Sequence, residues 1–166
     1  TVFNLLGPLT NPAGACGQVM GVFDRKWLEP LVQTFLNLGA RHVMVVASSD
    51  GMDEITLDGE TEIAEARGGE ITTYRVCSSD WGYKPAAKEM LRGGDPSENA
   101  RILRSVLEGV RGPHRDVVVV NAAAGILVGG GARDWQEACH VAEASLDSGA
   151  ALNVLERLIR VSHDIG

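Results

Sequence analysis

The sequence predicts an α/β fold with three layers, in which helices flank a largely parallel central sheet. Two valine-rich runs, VMVV at residues 43–46 and VVVV at residues 117–120, lack the alternation of a half-exposed strand, so both of their faces should be covered. Segments with helical spacing of apolar residues lie between the predicted strands, and this alternation is typical of α/β proteins. At 166 residues, the chain is long enough for one domain with its own core.

Four segments are predicted to be strands because they are rich in β-branched and apolar residues: residues 18–23, 42–47, 71–76 and 116–120. The Asp-Gly pair within residues 56–61 predicts a small hairpin, because these residues tolerate the positive φ angles of a tight turn. The opening segment predicts a rigid loop. Each of its two prolines disfavours helical geometry in the residue before it, so residues 6–13 should not form a regular helix.

Helices are predicted between the strands and after the last one. Apolar residues recur at helical spacing in residues 27–38, 97–110 and 134–146, and a final helix follows Ser148 and Gly149. Residues 78–94 are rich in Gly and Lys and are predicted to form a longer surface excursion.

The composition argues against several classes of function. The formal net charge of −7, without a basic stripe, disfavours nonspecific binding to nucleic acid or to anionic membranes. The cysteines Cys16, Cys77 and Cys139 form no CxxC pair, which disfavours a disulfide framework or a structural zinc site and suits a reducing cytoplasm. No apolar run approaches the roughly 20 residues that span a bilayer.

The candidate metal ligands are Asp53 and Glu54. They follow the apolar run of residues 42–47 in a loop of small residues, and open α/β sheets bind ligands at the carboxyl ends of their strands. Mg²⁺ prefers one or two carboxylates together with waters and substrate phosphates. The other interpretation is that both acids are solvated loop charges, which is the more common role of an isolated acidic pair.

Four further residues have two interpretations each. Asp50 either joins the metal site through water or bonds its own backbone in a turn. Asn121, at the end of a predicted strand, either faces a ligand or caps a helix that starts at Ala122, and we interpret it as structural. Trp81 and Tyr83 either close over a ligand or anchor a surface loop.

Several separated motifs resemble one enzyme family. FNLLGPLTNP at residues 3–12, DGMDE at residues 50–54 and NAA at residues 121–123 are similar to segments of the anthranilate phosphoribosyltransferases. GDPSENA at residues 94–100 and DSGAA at residues 147–151 match as well. The resemblance therefore covers essentially the whole chain, and motifs in the correct order are more specific than any one of them.

The resemblance implies transfer of the phosphoribosyl group from phosphoribosyl pyrophosphate to the amino group of anthranilate, in tryptophan biosynthesis. It also implies that Mg²⁺ assists the release of pyrophosphate and that Asp53 and Glu54 hold this ion. Because anthranilate supplies the attacking amine, no nucleophilic side chain is required, and we assign no catalytic side chain in this chain. Its substrate-binding residues stay unassigned.

The resemblance further implies a larger protein. Members of the family carry a helical region, a glycine-rich GTGGD loop that binds pyrophosphate and an anthranilate-binding arginine ahead of the matching segment, and none of these occurs in residues 1–166. We therefore expect one α/β domain from the carboxyl-terminal part of a two-domain enzyme. It should be inactive alone, and a cytoplasmic homodimer when complete.

Two other functions are open. One is a pyrimidine nucleoside phosphorylase-like enzyme, which has a similar architecture but uses phosphate as the nucleophile. The other is a noncatalytic relative that binds nucleic acid or a protein partner. Residues 4–12 and the pair of Asp53 and Glu54 favour the transferase over the phosphorylase, and the net acidity argues against nucleic acid.

Overall fold

Helices lie on both sides of a four-stranded sheet in the structure, which is a computed structural model that describes residues 2–164. The strands are β1 (Gly17–Gly21), β2 (His42–Ser48), β3 (Glu60–Arg67) and β4 (Glu70–Cys77). The helices are α1 (Val2–Leu9), α2 (Leu28–Asn37), α3 (Pro96–Leu107), α4 (Pro113–Val128), α5 (Trp135–Asp147) and α6 (Ala150–Asp164). Within residues 2–164, no helix is long and apolar enough to cross a membrane.

The α/β class with flanking helices is confirmed, but the sheet is mixed. Its strand order is β1-β2-β3-β4, and only β1 and β2 are parallel. The pairs of β2 with β3 and of β3 with β4 are antiparallel. These strands follow one another through a loop and a two-glycine turn without an intervening helix, and a parallel connection would need a longer crossover.

The three-layer arrangement follows from the alternation of side chains along β2. Val43 and Val45 pack with α2 in one buried cluster. Met44 and Val46 belong to a second cluster on the opposite face, to which α4 and α5 contribute. The prediction that residues 43–46 are covered on both sides is therefore confirmed, because successive residues of a strand point to opposite faces.

The strand predicted at residues 116–120 is wrong, since these residues lie inside α4. Three of the four valines are buried, while Val118 is 41% exposed, as expected when one side of a helix faces outward. An unbroken apolar run does not by itself distinguish a buried strand from a buried helix. Pro113 at the first turn and the alanines that follow Asn121 favour the helix.

The hairpin predicted at residues 56–61 is also wrong. Residues 49–59 form a loop between β2 and β3, and the hairpin instead joins β3 and β4 through Gly68 and Gly69. Both glycines have positive φ angles, as such a tight turn requires. The sequence ETEIAEAR of β3 is rich in Glu and Ala, which are uncommon in strands, so this element was not predicted.

The opening segment differs from the prediction in its first part. Residues 6–9 complete α1 despite Pro8, and the irregular loop starts only after the helix. Leu5 and Leu9 pack against the cluster under α2, so burial outweighs the local preference of the residue before proline. The four predicted helices agree with α2, α3, α5 and α6 within a few residues.

Gly21, the last residue of β1, offers a test of how closely the loop of residues 49–59 approaches the sheet. A Cβ atom at Gly21 would lie 1.5 Å from the carbonyl oxygen of Asp53. We expect Gly21→Ala to lower the free energy of unfolding by about 1–3 kcal/mol, because the backbone must shift to accept the methyl group. Urea unfolding measures the effect.

The matched control is Gly125→Ala in α4, where a Cβ atom meets no neighbour within 4 Å. This substitution should raise the free energy of unfolding by up to about 1 kcal/mol, because alanine is the better helix former. Equal effects of the two substitutions would contradict the close contact between Gly21 and Asp53.

Candidate functional site

The predicted metal ligands lie in the loop of residues 49–59, which leaves the carboxyl end of β2. The contact between Gly21 and the carbonyl of Asp53 brings the loop against the carboxyl end of β1 as well. Since β1 and β2 are the parallel pair, the loop occupies the edge at which open α/β sheets bind ligands. The structure therefore puts Asp53 and Glu54 where the sequence predicted them.

Asp53 and Glu54 are both exposed. Among residues 5–164, whose side chains the structure describes, no hydrogen bond or ion pair engages either carboxylate. The three residues that follow, Ile55, Thr56 and Leu57, are almost completely buried. The acidic pair thus stands on a segment whose next residues belong to the core, while its own oxygens face outward.

Asp50 organises the first half of the loop. Its Oδ1 accepts hydrogen bonds from Ser48 Oγ at 2.6 Å and from the backbone N–H of Met52 at 3.0 Å, and its Oδ2 accepts one from Thr56 Oγ1 at 2.7 Å. Partial burial disfavours its charged form, but the hydrogen bonds from Ser48, Thr56 and Met52 outweigh this effect and lower the pKa of Asp50. Of its two interpretations, the structure supports the turn.

Asn121 holds the second half of the loop. Its Oδ1 accepts from the backbone N–H of Ile55 at 2.9 Å, and its Nδ2 donates to the carbonyl of Ile55 at 2.9 Å. The same Nδ2 donates to the carbonyl of Val117 within α4 at 2.9 Å. The structural interpretation of Asn121 is supported, but the helix cap is wrong, because Asn121 lies in the middle of α4.

Lys88 ties the excursion of residues 78–94 to the same loop. Its Nζ donates to the carbonyl of Asp50 at 2.9 Å, and its backbone N–H donates to Asp58 Oδ2 at 3.3 Å. A further backbone hydrogen bond joins Ala86 to Leu57. Sequence reasoning did not predict these contacts, because they join residues 29 to 38 positions apart that share no motif.

A cavity of about 480 Å³ opens beside the loop. Met52 and Glu54 lie on its wall together with Asn99, His114 and apolar residues of α3 and α4. Asp53 does not line this cavity. Glu54 therefore lies on the wall of this open space, while Asp53 is exposed beside it.

The donor set decides which metal these residues fit. Within the part of the chain that the structure describes, no three His, Cys, Asp or Glu side chains come together as a metal-binding group. Asp53 and Glu54 supply two carboxylates, which are hard oxygen ligands. Two carboxylates are too few to fill the coordination shell of a metal ion without other ligands. Mg²⁺ accepts such a set, because it completes its shell with waters and substrate phosphates.

The aromatic residues of the excursion anchor it to the core. Trp81 is 9% exposed, and its ring packs on that of Trp135 with 4.8 Å between centroids. Tyr83 donates a hydrogen bond from its hydroxyl to Glu143 Oε1 at 3.0 Å. Of the two interpretations of these residues, the structure supports the anchor.

Comparisons with known proteins identify the family to which this chain belongs. Residues 1–152 match the family described as "Glycosyl transferase family, a/b domain". The chain is 52% identical over 162 residues to the anthranilate phosphoribosyltransferase of Rhodopseudomonas palustris strain TIE-1, and the match covers 98% of this chain and 48% of that protein. It is 49% identical over 162 residues to the enzyme of that name from Symbiobacterium thermophilum, with the same two coverages of 98% and 48%.

Solved structures show the same similarity. The crystal structure of anthranilate phosphoribosyltransferase from Thermus thermophilus aligns with a TM-score of 0.87 at 41% identity, over 95% of this chain and 46% of that one. The Saccharomyces cerevisiae enzyme in complex with PRPP and Mg aligns with a TM-score of 0.84 at 28% identity, over 94% and 45%.

The chain spans about half the length of the curated relatives it matches. The family match over residues 1–152 includes the loop that carries Asp53 and Glu54. The chain therefore belongs to the glycosyl transferase family with an a/b domain, and within it resembles the anthranilate phosphoribosyltransferases.

Proposed function

We propose that this chain forms the α/β part of an anthranilate phosphoribosyltransferase, in which Asp53 and Glu54 bind the Mg²⁺ ion that accompanies phosphoribosyl pyrophosphate. One observation carries the proposal. Asp53 and Glu54 are exposed, and their carboxylates accept no hydrogen bond from residues 5–164. The loop that carries them is held by Asn121 at the carboxyl end of the parallel strands, where open α/β sheets bind ligands. Relatives that match over 98% of this chain bear the name of that enzyme.

The reaction needs little covalent chemistry from the protein. The amino group of anthranilate forms a bond to C1 of the ribose, the bond from C1 to the pyrophosphate oxygen breaks, and the amine releases a proton. A bound magnesium ion supplies positive charge to the departing pyrophosphate oxygens. The role of Asp53 and Glu54 is to hold that charge at the edge of the sheet, and the role of the loop is to keep them in position.

The proposal also covers the activity of these residues alone, and the oligomeric state and location of the complete enzyme. Residues 1–166 do not contain the family's glycine-rich phosphate loop, so we expect no turnover from these residues alone. The complete enzyme is proposed to be a cytoplasmic homodimer. The three cysteines are all free, which supports a reducing compartment.

The metal role is tested by the double variant Asp53→Asn with Glu54→Gln in the full-length protein. Both substitutions keep the size of the side chain and remove the charge that binds the cation. We expect kcat/KM for phosphoribosyl pyrophosphate to fall about 100-fold or more, since such an electrostatic contribution is worth several kcal/mol. Steady-state kinetics across a range of Mg²⁺ concentrations measures the effect.

A matched control for this experiment is Asp58→Asn, which removes a carboxylate from the same loop. Asp58 accepts a hydrogen bond from the backbone of Lys88 and is exposed. Its loss should change the magnesium dependence little. Kinetics that are the same in the double variant and the wild type would refute the metal role of Asp53 and Glu54.

The choice between transferase and phosphorylase is tested by the acceptor. We expect the full-length protein to consume phosphoribosyl pyrophosphate only when anthranilate is present, because the amine is the nucleophile. Loss of anthranilate fluorescence follows the reaction directly. Cleavage of uridine or thymidine that depends on inorganic phosphate, without any transfer to anthranilate, would favour the phosphorylase.

A further inference from the structure

We infer that Asn121 is a positioning residue for the magnesium site: its side-chain amide, delivered from α4, sets where the pair of Asp53 and Glu54 stands. The inference rests on the proposed metal role of that pair. Asn121 touches neither carboxylate in the hydrogen bonds of the described residues, so it acts through the backbone of Ile55 alone.

The amide of Asn121 is held in one orientation. Its oxygen receives the Ile55 N–H, while its nitrogen serves the carbonyls of Ile55 and Val117, and all three distances are 2.9 Å. Rotating the amide by half a turn would oppose like groups at every one of these contacts. The amide therefore pairs with the backbone N–H and C=O of Ile55, as the backbone of a residue in a neighbouring β-strand would.

The next residue toward the amino terminus is Glu54, so the hold on Ile55 is transmitted through one peptide bond. Ile55 is fully buried, which prevents this anchor from swinging outward. Between the two acids, the carbonyl of Asp53 lies against Gly21, where there is no room for a methyl group. The backbone is therefore constrained on both sides of Glu54 and on the carboxyl side of Asp53, while both side chains are exposed.

Free acidic side chains on a fixed backbone suit a cation that must be held against a substrate. If the loop moved, the two carboxylates would have to be ordered again at each binding event, and binding would weaken. Residues that orient metal ligands without contacting the metal typically change affinity by about 10- to 100-fold when they are removed. We expect an effect of this size at Asn121.

The test uses Asn121→Leu in the full-length protein, a substitution of similar size that removes all three hydrogen bonds. Mg²⁺ binding is measured by calorimetric titration in the presence of pyrophosphate, well below the unfolding temperature. The expected result is a dissociation constant about 10- to 100-fold higher than that of the wild type. Asn121→Ser is the second variant, because serine is too short to reach Ile55 but can bond a carbonyl of its own helix.

The matched control is Val119→Ala, which truncates a fully buried side chain of the same helix and keeps the side chain that makes all three Asn121 hydrogen bonds. It should lower the melting temperature and leave the dissociation constant for Mg²⁺ unchanged. Equal weakening in Val119→Ala and Asn121→Leu would overturn the inference, because the effect would then follow stability alone.

The double variant Asp53→Asn with Glu54→Gln separates this inference from the proposed function. If the double variant loses Mg²⁺ binding while both Asn121 variants bind it like the wild type, the positioning role is wrong and the metal site stands. If the double variant also binds Mg²⁺ like the wild type, the proposed metal site itself is wrong, and the positioning role is wrong with it.

Discussion

Two hydrogen bonds between the side-chain amide of Asn121 and the backbone of Ile55 connect the loop of the candidate site to the body of the protein. They matter because α4 is itself held by the sheet: its buried residues pack with Met44 and Val46 of β2. The loop also starts from β2. The loop is therefore attached to both β2 and α4, which pack against each other, so the position of the acids depends on the packing of the core.

The acids of this loop differ in their roles because their surroundings differ. Asp50 accepts three hydrogen bonds from its own segment, so its charge stabilises the loop. Asp53 and Glu54 make none among the described residues and remain exposed. Because Asp50 already uses three of its roughly four lone-pair sites, it has less capacity to bind a cation than Asp53 or Glu54. The carboxylate of Asp50 thus stabilises the loop, while the carboxylates of Asp53 and Glu54 stay available to the proposed metal ion.

The proposed magnesium site needs ligands beyond Asp53 and Glu54. Two carboxylates leave most of the coordination shell of a magnesium ion to waters and to the phosphate groups of a substrate. Such a site binds the ion and its ligand together, and it depends on other groups to hold the remainder of the substrate. The chain covers 48% of the length of its Rhodopseudomonas palustris relative, and the proposal assigns the remaining substrate contacts to the rest of such a protein.

The sequence by itself determined the α/β class, four of the six helices, the double burial of β2 and the acidic pair at the end of that strand. These features have local signals: periodicity, a run of β-branched residues, or neighbouring charges after a strand. Only the tertiary structure decided that residues 116–120 are helical, that β3 and β4 pair antiparallel, and that Asn121 meets Ile55. An apolar run fits either a buried strand or a buried helix, and a contact between residues 66 positions apart leaves no local pattern, so the packing of the whole chain determined both.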